Sequence, residues 1–119
     1  MLDIEQIARV CHEANRTYCK AMGDDSHQPW DEAPDWQRNS CVAGVRAVVE
    51  SGGLDAETLH KNWMRDKQAN GWKWGVVKDA EKKTHPSMRP FAELPESERK
   101  KDTLFANIVK ALAWLDGLR

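Results

Sequence analysis

The stretch Gly71-Trp72-Lys73-Trp74-Gly75-Val76-Val77-Lys78-Asp79, closed a few residues later by His85-Pro86, lies between two helical patterns. Trp72 to Val77 alternates large and small side chains and reads as a short strand. Strand side chains alternate faces, which puts Trp72 and Trp74 on the same side. Lys78 to Thr84 is a charged turn. Ser87 to Arg89 reads as a second short strand, and Pro90, lacking an N–H, confines it to an edge. The expectation is a short antiparallel β-hairpin inside a mainly α chain.

Helical signals fill the sequence on both sides. Asp55 is placed to cap a helix running to about Asn70, with Leu59 and Trp63 on one face and Gly71 as its stop. Upstream, Asp3 caps a first helix to about Met22. Ile4, Ile7, Ala8, Cys11, Ala14, Tyr18 and Met22 recur there at three and four. A polar loop from His27 to Asp35 follows, with Trp30 expected to pin it to the core. Asp35 is read as the cap of a second helix, Trp36 to Glu50, with Trp36, Val42, Val45, Val48 and Val49 inward. Ser51-Gly52-Gly53 ends that helix. Downstream, Glu93-Leu94-Pro95-Glu96 opens a last helix to about Leu115. Leu104, Phe105, Ile108, Val109, Leu112 and Leu115 mark its apolar face. The fold class is mainly α: a single small domain, 1–119, of about four helices with the hairpin.

At 119 residues, 40% apolar and 31% charged, the chain has the composition of one globular domain. No window approaches the roughly 20 apolar residues of a membrane span, and the acidic start lacks an apolar signal-peptide core. A cytoplasmic protein without a membrane partner is expected. Cys11, Cys19 and Cys41 leave an odd thiol. Cys11 and Cys19 fall about 12 Å apart along one helix, too far for a disulfide, so free thiols are expected. There is no CxxC and no His/Cys pairing at zinc spacing, so neither metal nor cofactor is expected. Net charge is −1, divided as −6 over residues 1–60 and +5 over 61–119. The second half is too mixed in sign for a general nucleic-acid binder, so no nucleic-acid polymer is expected as partner.

Three segments together resemble the RyR domain, the repeat of ryanodine receptors that also occurs singly in bacterial and phage proteins. They are His60-Lys61-Asn62-Trp63; the run from Gly71 through Asp79-Ala80-Glu81-Lys82-Lys83-Thr84-His85-Pro86; and Pro90-Phe91-Ala92-Glu93-Leu94-Pro95. The resemblance covers about residues 54–115, with residues 1–22 as an N-terminal helical extension. Trp74 stands where the family usually has tyrosine, and Val77 precedes Lys78 where arginine is common. The resemblance implies a mainly helical fold with a small antiparallel strand pair, and no channel.

Aromatic and cationic side chains concentrate between 63 and 89. Trp63 and Lys67 are one helical turn apart on one face. A ring that stacks a base beside a cation that meets a phosphate is the smallest nucleotide grip. The packing alternative makes Trp63 core and Lys67 an amphipathic cover over it. Trp72 and Trp74 form an aromatic wall or, alternatively, one core face of the hairpin. Lys78, Lys82, Lys83 and Arg89 flank the hairpin as a cluster for phosphate or carboxylate, or as a solvated turn. His85, before Pro86, is expected to hold the turn by a hydrogen bond. The candidate ligand-binding set is Trp63, Lys67, Trp72, Trp74, Lys78, Lys83 and Arg89. The expected ligand is a small, anionic, nucleotide-like molecule. The alternative is a protein-interaction module, or a homodimer, docked through exposed tryptophans. No nucleophile–base pair, P-loop or metal-spaced cluster appears, so no enzyme is expected.

Overall fold

The computed structural model describes residues 2–117. Four helices carry the fold: α1 (Ile4–Ala21), α2 (Asp35–Ser51), α3 (Ala56–Ala69) and α4 (Glu96–Gly117). Strands β1 (Lys73–Trp74) and β2 (Thr84–His85) lie between α3 and α4. Single 3-10 turns at Trp30–Glu32 and Phe91–Glu93 lead into α2 and α4.

The helix starts follow local chemistry. Asp3 Oδ1 accepts from Gln6 N at 2.7 Å while Gln6 Oε1 accepts from Asp3 N at 2.8 Å, a reciprocal cap that satisfies two otherwise orphaned donors. Asp55 Oδ1 accepts from Thr58 N at 2.8 Å and starts α3. The second helix corrects the expectation for Asp35. Pro34 holds the cap position, and Asp35 is the first helical residue, paired with Arg38 one turn on. Gly52 (φ +78°) and Gly71 (φ +87°) end α2 and α3 in the left-handed region.

The core forms where α1, α2 and α4 meet. Ile7, Ala8 and Cys11 of α1 pack with Val45 and Val48 of α2, and with Ala106 and Val109 of α4. Leu59 brings in α3, and Trp30, 4% exposed, anchors the connecting loop as its composition suggested. Tyr18 donates to Ser97 O at 2.9 Å and ties α1 to the start of α4. The first helix, read as an extension, therefore supplies part of the core. Trp36 and Val49, expected inward, are 47% and 39% exposed, and Met22 is 60% exposed. Leu115 lies outside the residues whose side chains are described. Among the described residues no helix is long and apolar enough to cross a membrane.

The strand pair corrects the expected hairpin. Lys73 pairs with Thr84 and Trp74 with His85 in parallel. Lys73 N donates to Lys83 O at 2.9 Å and Gly75 N to His85 O at 3.3 Å. The second strand is Thr84–His85 rather than Ser87–Arg89. The direction follows from an additional reversal. Asp79 and Thr84 exchange two backbone hydrogen bonds of 3.0 Å in an antiparallel bridge. Asp79 Oδ1 takes the N–H groups of Glu81 and Lys82, and Lys83 adopts φ +55°. The chain thus turns back a second time, and β2 runs with β1 instead of against it. A Cβ on Gly75 would stand 2.6 Å from Thr84 Cβ, so the crossing requires glycine.

Gly75→Ala is therefore expected to destabilise the protein by about 1–3 kcal/mol, the usual scale of an overpacked contact. Urea unfolding checks this; a change within error would show that the two strands do not approach as closely as described.

Candidate functional site

A cavity of about 380 Å³ opens where all four helices and the β segment converge. On α2, Trp36, Ser40, Gly44 and Ala47 recur at helical spacing along its wall, and the Phe105 ring of α4 lies against Gly44. The α3 wall is His60, Trp63 and Lys67. Trp72, Lys78 and His85 come from the β segment, and Glu98, Lys101 and Asp102 from α4.

Lys67 is the centre of the cationic side. It is only 7% exposed, and its Nζ lies 4.4 Å from the Trp36 ring centroid and 5.0 Å from that of Trp72. The two indoles are 6.1 Å apart at 47°, so the ammonium sits against both. Lys67 makes no ion pair among the described residues, and burial lowers its pKa from the ordinary lysine value. Two ring faces lie against this ammonium, and the charge of the neighbouring Asp66 acts against the fall in its pKa. Lys78, exposed, adds a second cation at the edge of the cavity.

Trp63 is half-buried deeper in. His60 stacks on it at 5.5 Å and 24°, and His85 meets it edge-on at 5.0 Å. His85 Nδ1 accepts from Ser87 N at 3.0 Å, which fixes the turn as its place before Pro86 suggested. Burial, then the charge of Lys78, pushes the His85 ring down to about 4, so it is neutral at physiological pH. His60 Nε2 lies 2.7 Å from Arg89 O, and its Nδ1 is 3.8 Å from the Asp102 carboxylate. Burial, then the nearby charge of Glu98, raises Asp102 to about 7. Glu98 is itself paired with Lys101 at 3.0 Å.

Of the seven sequence-derived site residues, Trp63, Lys67, Trp72 and Lys78 line this cavity. Trp74, Lys83 and Arg89 do not. Trp74 is 52% exposed, because β1 is two residues long and face alternation does not carry back to Trp72 outside it. Lys83 Nζ donates to Asn70 O at 2.8 Å and so serves the C-terminus of α3. The backbone carbonyl of Arg89 is the partner of His60, and its Nε is buried without a hydrogen-bond partner. Sequence reasoning missed Trp36 as a wall residue. The available signal was the run of small residues below it at helical spacing. It also missed Glu98 and Asp102, two carboxylates one turn apart beside the apolar stripe of α4.

The model of the RyR domain family matches residues 45–116, more than half of the chain. The match begins within α2 and takes in α3, the strand pair and α4.

Asp102 and His85 give opposite pH responses. Between about pH 4 and 7 the folded protein keeps a proton on Asp102 that the unfolded chain has released, so this contribution to stability falls as pH rises. Between about 4 and 6.5 the unfolded chain protonates His85 while the folded protein does not, so that contribution grows with pH. Relative to the parent, Asp102→Asn is expected to gain stability as pH rises from 4 to 7. Denaturant midpoints across that range check it; a constant offset between the two proteins would contradict it.

Proposed function

This chain belongs to the RyR domain family, and on that premise we propose that it is a non-catalytic ligand-binding module whose central cavity takes a small anionic ligand carrying a base, of the adenine-nucleotide type. The observation that carries this reading is the buried ammonium of Lys67, which sits against the rings of both Trp36 and Trp72. A cavity of about 380 Å³ lies within the usual range for small-molecule sites. Indole walls favour a flat ring, since stacking a base on an aromatic is worth roughly 1–3 kcal/mol. Lys67 and Lys78 suit an anion, being cations without a carboxylate partner among the described residues. An incoming phosphate or carboxylate would give the Lys67 ammonium a counter-charge closer than that of Asp66, which forms no ion pair with it, at a site where water screens little. The carboxyl of Asp102 and the neutral ring of His85 supply acceptor and donor atoms for the polar edge of a base.

Calorimetry against a panel of adenine nucleotides tests this reading. Saturable binding is expected, weakened roughly five- to hundredfold in Trp72→Ala, the equivalent of 1–3 kcal/mol. Lys67→Met, which keeps the stem and removes the charge, should lose the preference for phosphorylated over unphosphorylated ligands. Absence of binding by every nucleotide, or unchanged affinity in a folded Trp72→Ala protein, would refute it.

A second reading rests on a separate observation. Trp74, Val76 and Val77 are 52%, 77% and 69% exposed in one short segment, an apolar group outside the cavity. Such a group suits docking to another protein or a second copy of the chain, where tryptophan is a frequent anchor. Light scattering separates the readings: a dimer dissociated by Trp74→Ser would favour self-association, whereas a monomer at every concentration would remove the homodimer from this reading.

A further inference from the structure

Outside the aromatic cage, the turn after α1 brings together three side chains of different chemistry. Cys19 Sγ, an Asp24 carboxylate oxygen and a His27 ring nitrogen lie within 4.8 Å of one another. The backbone sets this arrangement. Gly23 takes φ +95°, and Asp24 N donates to Cys19 O at 2.8 Å. That is the six-to-one hydrogen bond by which a glycine turn folds the chain back over the last helical turn. Asp24 Oδ1 is then held by Ser26, accepting from its backbone N at 3.0 Å and from its hydroxyl at 2.6 Å. The other oxygen, Oδ2, lies 3.9 Å from His27 Nδ1.

His27 Nδ1 supplies the second observation. The His27 side chain is 8% exposed, and Nδ1 is buried with no hydrogen-bond partner among the described residues, since 3.9 Å exceeds hydrogen-bond reach. A buried ring nitrogen that lacks a partner costs free energy unless something occupies its lone pair. Here it lies 3.9 Å from a carboxylate oxygen, beside a buried thiol.

We propose that Cys19, Asp24 and His27 form a three-ligand site for a zinc-class divalent ion. Thiolate, imidazole and carboxylate are the ligand types that such an ion prefers, and three protein ligands leave a fourth position for water or another donor. Ligand atoms around a tetrahedral zinc lie roughly 3.3–3.8 Å apart, so atoms within 4.8 Å of one another would have to draw in by about 1 Å on binding. The surrounding charges bear on the ligand states. Burial and Lys78 hold His27 below its ordinary pKa, which favours the neutral ring that ligates. Burial raises the Cys19 thiol while Lys101 acts against that rise. Lys101, paired with Glu98 at 3.0 Å, and Lys78, whose charge reaches Asp24 and His27, are cations that oppose a metal ion here, and the two anionic ligands must outweigh them. Binding replaces the thiol proton: the Cys19 S–H bond breaks, a sulfur–metal bond forms, and one proton passes to solvent. The two anionic ligands balance the dication. Because His27 also lines the central cavity, the ion would fix that ring at the cavity edge.

The spacing escaped sequence reasoning because it does not follow a zinc-finger pattern. Cys19 lies in the last turn of α1, and Asp24 and His27 follow across the glycine turn.

The test is titration of the reduced, metal-free protein with Co²⁺ and with Zn²⁺. Co²⁺ should give one equivalent of binding with a thiolate charge-transfer band and tetrahedral visible bands. Zn²⁺ should displace it, raise the melting temperature and release about one proton per ion. Cys19→Ser should lose the charge-transfer band, and His27→Gln and Asp24→Asn should lose stoichiometric binding. The double variant Cys11→Ser/Cys41→Ser should keep all three signatures. His27→Gln alters a loop residue and serves as the decisive variant if Cys19→Ser does not fold. No saturable binding of either ion by the parent protein would overturn the proposal. So would binding that persists in His27→Gln, or that disappears only when Cys11 and Cys41 are replaced. These outcomes are independent of nucleotide binding in the cage.

Discussion

A buried ammonium held against two indoles organises the cavity side of this domain. Lys67 is carried on α3, Trp36 on the first turn of α2 and Trp72 on the segment leaving α3. Each cation–π contact contributes about 0.5–2 kcal/mol, more as water is excluded. That is less than the cost of burying an unpaired charge in an apolar medium. The balance explains why the pKa of Lys67 is lowered and why the ammonium stays at the cavity rather than in the core. It also imposes a geometry. The α2–α3 separation must let the ammonium reach both rings, and Gly71 must turn the chain sharply enough to bring Trp72 back beside Lys67. Trp72 N donates to Lys67 O at 3.0 Å, which fixes that return in the backbone.

The opposite side of the domain follows different physics. Ile7, Ala8, Val45, Val48 and Val109 fill a conventional apolar core between α1, α2 and α4. α2 thus has two working faces. Val45 and Val48 face the core, while Trp36, Ser40, Gly44 and Ala47 border the cavity. The second face is packed in part: a Cβ on Gly44 would stand 3.1 Å from the Phe105 ring of α4.

How far the sequence could be read depended on whether the deciding interaction was local. Helix caps at Asp3 and Asp55, the glycine stops and the apolar stripe of α4 are set within a few residues and were legible. His85 holding its turn was legible for the same reason, and Trp30 in the core was legible as the one large apolar side chain of a polar loop. The parallel strand direction was not, because it depends on the reversal between Asp79 and Thr84 and on the fit of Gly75 against Thr84. The cavity was half legible. Trp63 and Lys67 share a helix face, so their proximity follows from helical spacing. Trp36 reaches the site from about thirty residues away in sequence, and its place there depends on how α2 packs against α3. Lys83 and Arg89 looked alike as surface cations. Only the folded chain shows one bonded to the carbonyl of Asn70 and the other offering its backbone carbonyl to His60.

The central claim is that a base-bearing anion enters the space bounded by Trp36, Trp63 and Trp72. The most direct measurement is nitrogen–proton correlation NMR of the indole N–H groups, assigned by single Trp→Phe variants, during titration with an adenine nucleotide. The account predicts saturable shifts of the Trp36, Trp63 and Trp72 signals, with Trp30 in the core and Trp74 on the surface unmoved. Shifts confined to Trp74, or no shift in any of the three cavity indoles, would contradict it.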